Sequence, residues 1–138
     1  MTLRIAKSLL ENGFNAQGFE ILKQFSKYTD HFPYFTHNPW SDKFFQDQSS
    51  MALQISAGAG IEAIISGIFG LEPQIDGSLV IDPSYNQELG SAELQGFKFR
   101  DASYDVVLKS DSYILKRNGK FIFEKKYGEK VRIENANR

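Results

Sequence analysis

The side chains best suited to chemistry lie between residues 29 and 49. There His37-Asn38-Pro39-Trp40 and Asp47-Gln48 set an indole among imidazole, amide and carboxylate groups. This mixture suits a sugar, whose apolar C–H faces stack on Trp while Asn, Asp, Gln and His take up hydroxyls. His37, Asn38, Trp40, Asp47 and Gln48 are therefore the candidate substrate-binding residues. A packing role is open to the same loop: Phe35, Phe44 and Phe45 can fill a core while Trp40 anchors the chain. The two readings are compatible.

No residue is assigned to catalysis. Sugar hydrolysis needs two carboxyl groups flanking the scissile bond, one protonated and one ionised. Asp42, Asp47 and Glu62 are the carboxylates nearest the aromatic loop in sequence, and nothing pairs any two of them. Asp42 follows Ser41 as a turn or cap residue would, and Glu62 sits inside an apolar run. His31 and His37 lie near Asp30, Asp42 and Asp47, yet without the spacing of a zinc site, so no metal is expected. Gly58-Ala59-Gly60-Ile61-Glu62-Ala63 fits a dinucleotide fingerprint in letters only. That motif acts where a parallel βαβ unit aims a helix N-terminus at a pyrophosphate, and here helical patterns precede it and hairpin patterns follow. No cofactor is expected.

The elements that must position these residues change character along the chain. Leu3 to Glu11 places Ile5, Leu9 and Leu10 on one side at helical spacing, and Asn12-Gly13 is a helix stop. Asn15 can cap a second helix through about Tyr28. Pro33 and Pro39 then bar a continuous helix through the aromatic loop. Ser49 or Ser50 can cap a third helix to about Phe69, whose Gly58, Gly60 and Gly67 suit close backbone approach. From Ser78 the period becomes two: Leu79 and Ile81, Phe97 and Phe99, Tyr104, Val106 and Leu108, Tyr113 and Leu115, Phe121 and Phe123, Val131 and Ile133. Asn118-Gly119 between alternating runs is a strong hairpin signal. The expected fold is α+β, with a helical segment over residues 1–72 and an antiparallel β module over 73–138.

Composition narrows the class further. The 138 residues carry a formal net charge of -1, and the 41% hydrophobic content is that of a globular chain. There is no cysteine, so disulfides and thiolate sites are excluded and the compartment stays open. The opening residues show no basic-then-apolar signal pattern. Residues 97–132 hold ten Lys/Arg against five Asp/Glu, but these alternate along expected strands as a solvated sheet face does. Nucleic acid is not the expected partner. Met51 to Phe69 is the longest apolar stretch, and Gln54 and Glu62 within it argue against a membrane span.

Residues 54–71, Gln-Ile-Ser-Ala-Gly-Ala-Gly-Ile-Glu-Ala-Ile-Ile-Ser-Gly-Ile-Phe-Gly-Leu, resemble the closing barrel helix of the six-hairpin glycosidases. Glu72-Pro73 and Asp76-Gly77-Ser78-Leu79-Val80-Ile81-Asp82-Pro83 continue the likeness, matching the family's Gly-x-Leu-x-Ile-x-Pro strand. Gly96 to Arg100 with Ser103 to Val106 is similar to a later strand pair, and residues 2–14 resemble an earlier barrel helix. The resemblance implies the end of an (α/α)6 barrel followed by a β-sandwich tail. It implies glycoside hydrolysis, or phosphorolysis, by direct acid and base carboxylates without a cofactor. Those carboxylates belong mainly to earlier hairpins, and none is carried over to this chain. The expectation is thus a portion of a carbohydrate-active hydrolase that is not catalytic alone. Its partners would be a carbohydrate and, through the helical face, a second copy or the rest of a barrel. A free-standing carbohydrate-binding or protein-interaction module is the alternative.

Overall fold

The computed structural model describes residues 2–31 and 54–134. Among the described residues three helices come first: α1 (Thr2–Glu11), α2 (Asn15–His31) and α3 (Gln54–Glu62), the last running on as a π-helical stretch over Ala63–Ile68. Seven strands follow: β1 (Leu71–Pro73), β2 (Leu79–Ile81), β3 (Ala92–Phe99), β4 (Ala102–Leu108), β5 (Ser112–Arg117), β6 (Lys120–Lys126) and β7 (Val131–Ile133). The fold is α+β with antiparallel sheets. Among the described residues, no helix is long and apolar enough to cross a membrane.

The first helix ends on the expected Asn12-Gly13 stop. Gly13 takes a φ of 80°, which only glycine adopts without strain, and two reverse bonds close the turn. The Phe14 N–H donates to Leu9 O at 2.8 Å and the Gly13 N–H to Leu10 O at 3.1 Å, a Schellman arrangement. The buried face differs from the expected one. Leu3, Ala6 and Leu10 face the core, whereas Ile5 is 48% exposed. Nor does Asn15 cap α2. The Phe14 carbonyl takes the first helical bond from the Gly18 N–H, and the Asn15 amide reaches Tyr85 O instead, at 3.2 Å. The second helix also runs to His31, three residues past its expected end. The expected cap of the third helix, Ser49 or Ser50, lies outside the described residues.

Close approach does occur at glycine, but not at Gly58, where an added methyl would meet nothing. Leu10 is the wedge. A methyl on Gly18 of α2 would lie 2.7 Å from Leu10 Cγ, and one on Gly67 of the π-helical turn 2.9 Å from Leu10 Cδ1. Two helices therefore close onto one leucine, and each needs a bare backbone to do so. The π-helical stretch, closed by the Phe69 N–H to Ile64 O at 3.0 Å, ends with Ile68 and Phe69 both buried.

The strands form two sheets, ordered β1-β2-β7 and β3-β4-β5-β6. Strand β1 starts at Leu71, so the expected boundary between residues 72 and 73 falls inside a strand. Leu10, Ile68 and Phe69 from the helices join Leu71, Leu79, Ile81, Tyr104, Val106, Leu108, Tyr113 and Leu115 in one core. The period-two pattern is followed most closely in β4, where Ala102, Tyr104, Val106 and Leu108 are buried and the residues between them are not. Two bulges modify it elsewhere. In β3, Gln95 and Gly96 together oppose Asp105, whose carboxylate accepts the Gly96 N–H at 2.8 Å. This extra residue lets Leu94 and Phe97, three apart, lie against the same core. In β6, Leu115 pairs with Phe123 but Lys116 with Phe121, leaving Ile122 as the additional residue. Phe121 is thereby turned outward, 63% exposed, although its spacing from Phe123 had placed both on one face.

The wedge predicts a reversal of helix propensity. Gly58→Ala, in open space on α3, should hold or raise stability by up to about 1 kcal/mol. Gly18→Ala should instead lower it by about 1–3 kcal/mol through overpacking against Leu10. Urea unfolding of the two variants measures both, and equal effects would remove the wedge from the account.

Candidate functional site

The expected binding residues His37, Asn38, Trp40, Asp47 and Gln48, with Asp42, lie outside the described residues. Glu62 does not. It is exposed at the end of α3 and accepts from Lys7 Nζ of α1 at 2.6 Å, which ties the two helices. The Lys7 ammonium holds the Glu62 carboxyl below its ordinary range, so this group is an ion-pair member. Among the described residues every strand pairing is antiparallel, and Gly58 to Ala63 opens no βαβ unit there.

Two clefts differ sharply in chemistry. The first, of about 510 Å³, lies between α2, the α3 π-helical extension and the short 3₁₀ turn Gln87–Leu89. Phe19, Leu22, Phe25, Ile64, Ile68 and Leu89 line it, and the Lys23–Glu88 ion pair at 2.5 Å marks its edge. Helical spacing on α2 brings Phe19 and Leu22 to this side, where they also touch the core.

The second cleft, of about 490 Å³, is polar. Three segments distant in sequence build it: the α1–α2 turn, the adjoining ends of β1 and β2, and the β6–β7 turn. From them come Glu11 and Asn15, then Glu72, Asp82 and Tyr85, and lastly Tyr127 and Lys130. Register explains the grouping of the strand carboxylates. Glu72 pairs with Val80, two residues before Asp82, so both carboxylates leave the ribbon on one face. Lys130 Nζ stands 3.7 Å from Asp82, and Lys7 Nζ stands 3.4 Å from Glu11. Glu72 has no ion pair with a described residue.

An aromatic stack forms one wall. The Tyr85 and Tyr127 rings lie 4.9 Å apart and nearly parallel, with Tyr113 packed at 6.0 Å from Tyr127. Buried Tyr113 and half-buried Tyr127 both have backbone acceptors: Tyr127 donates to Lys109 O at 2.7 Å and Tyr113 to Glu129 O at 2.6 Å. These bonds pin the β6–β7 turn to the sheet. Burial is the main reason both phenols are pushed up to about 12, with the charges of Asp82 and Glu129 adding to it at Tyr113. They act as hydrogen-bond donors, not as bases.

Among the described residues, no group of three His, Asp or Glu side chains could hold a metal ion. The polar cleft was not found from sequence. In sequence Asn15 reads as a helix cap and Asp82-Pro83 as the end of a family-like strand, and no periodicity links three segments so far apart.

No family model, curated protein sequence or solved structure matches this chain.

The tyrosine environment sets a pH dependence. A neutral acid whose folded pKa is raised contributes stability below its unfolded value and loses it as pH climbs toward the folded one. For Tyr113 and Tyr127 this window runs from about 10 to 12. Absorbance at 295 nm should therefore show these two phenols ionising later than the other tyrosines, toward pH 12 while the fold persists, and Tyr113→Phe should remove one delayed group. Ordinary titration of every tyrosine near pH 10 with the fold intact would contradict the buried assignments.

Proposed function

We propose that the chain is the closing portion of a carbohydrate-active protein of the glycoside hydrolase kind, a β module carrying helices that pack against further helices. It does not perform hydrolysis by itself. The single observation that supports this reading most is the apolar cleft on the helical layer. Phe19, Leu22 and Ile64 line it beside buried Ile68, and Ile61 and Ile64 are exposed on the same helical run. Soluble monomers seldom leave contiguous apolar surface beyond a few hundred Å² open to water, and such patches mark interaction sites. The sequence resemblance at residues 54–83 supports helical hairpins as the natural covering.

Three carboxylates among the described residues fit a chain that does not hydrolyse glycosides by itself. A glycosidase acid needs its carboxyl pushed up, by burial or a like charge, so that it is protonated at working pH. Glu62, Asp76 and Glu124 are all pushed down, by Lys7, by the Ser78 N–H and hydroxyl, and by Ser112 with Lys109, respectively. Their hydrogen bonds stabilise the ionised form.

Sedimentation at micromolar concentration, with a dye that reports apolar surface, tests the proposal. The chain should self-associate or bind the dye through its helices, and Ile64→Glu should abolish both while the melting temperature stays close to that of the parent. No turnover of aryl glycosides is expected. A strictly monomeric chain that binds no dye would favour a free-standing module instead.

A further inference from the structure

The geometry points to the polar cleft between the α1–α2 turn and the β6–β7 turn as a binding site for a neutral saccharide. This inference rests on the carbohydrate reading above and assigns that ligand to residues outside the aromatic loop. The cleft's volume, about 490 Å³, falls within the range of small-molecule sites. Its lining alternates hydrogen-bonding character. Glu72 and Asp82 supply acceptors, Lys130 supplies a donor, and the Tyr85–Tyr127 stack supplies aromatic surface. A pyranose presents the complementary set, with vicinal hydroxyls at its edge and C–H groups on its face. The charges select among ligands. Lys130 matches Asp82, whereas Lys7 is shared between Glu62 and Glu11, so the lining is net negative and Glu72 is its carboxylate with no ion pair to a described residue. One unmatched carboxylate repels a uronate and holds the hydroxyls of a neutral ring. The other cleft does not compete for such a ligand, because its lining is apolar apart from the Lys23–Glu88 pair at its edge and Ser26.

Ligand-observed NMR and calorimetry on the full chain, with maltotriose, cellotriose and trigalacturonate, test the assignment. At least one neutral trisaccharide should bind, with a Kd on the order of 1 mM, since a shallow site offsets little of the association cost. Trigalacturonate should bind at least about tenfold more weakly, as expected when a charge meets a like charge. Glu72→Gln keeps the side-chain shape and should weaken the neutral sugar about tenfold, by loss of a charged acceptor. Tyr85→Ala should weaken it similarly, and if that variant fails to fold, Glu72→Gln decides alone. Binding unchanged in Glu72→Gln and folded Tyr85→Ala, but lost in Trp40→Ala, would overturn the cleft and leave the carbohydrate reading standing. Absence of binding by either neutral sugar would overturn the cleft as well. The self-association of the helical face, which involves none of these residues, reports separately on the proposed function.

Discussion

Leu10 holds the architecture together. Its side chain lies between the bare backbones of Gly18 and Gly67, and its carbonyl accepts the buried Ser84 hydroxyl at 3.1 Å. The Ser84 N–H in turn donates to Ile68 O at 3.0 Å. One residue of α1 thus sets the spacing of α2 and the π-helical turn, and locks the chain leaving β2 against both. The Leu10 carbonyl also accepts the Gly13 N–H of the Schellman turn at 3.1 Å, so the Ser84 hydroxyl is its second partner and ties the helix stop to the segment after β2. The polar cleft inherits its shape from this junction, because its walls are the segments on either side of Leu10 and Ser84.

Much of the fold was legible because the relevant signals are local. Gly13 at the Schellman turn, Asn118-Gly119 at the β5–β6 hairpin and the alternation of β4 each state their structure within a few residues. Asn118 and Gly119 take φ of 52° and 74°, as a two-residue hairpin turn of that type demands. What was not legible depends on count or on distance. A single inserted residue at Ile122 reverses Phe121, and nothing in the alternation announces it. Which glycine meets a neighbour was set by the position of Leu10, so Gly58 looked equivalent to Gly67 in sequence and is not. The β1 strand, three residues ending in proline, is too short for any periodicity and forms because β2 pairs with it. Glu72 and Asp82 come together through that same pairing, which is why the cleft was missed.

The charged residues show how surface and core are divided. The basic excess of residues 97–132 is spread among strand-edge pairs such as Lys109 with Glu124 and Lys116 with Glu93. Pairs this exposed are screened by water and contribute little to stability, so their use is solvation and register. Arg132 on β7 pairs with Asp76 and with Glu134, fastening the edge of the smaller sheet to the β1–β2 turn.

The placement of β7 governs the order in which the chain can assemble. Val131–Ile133 pairs with Leu79–Ile81, and the whole four-stranded meander intervenes. The meander needs only contacts between neighbouring strands and can close progressively. The smaller sheet gains its third strand only after that loop has been drawn shut, which costs conformational entropy before any ladder bond repays it. On a ribosome the helices and meander emerge first, and β2 waits with one edge unpaired until the last strand arrives.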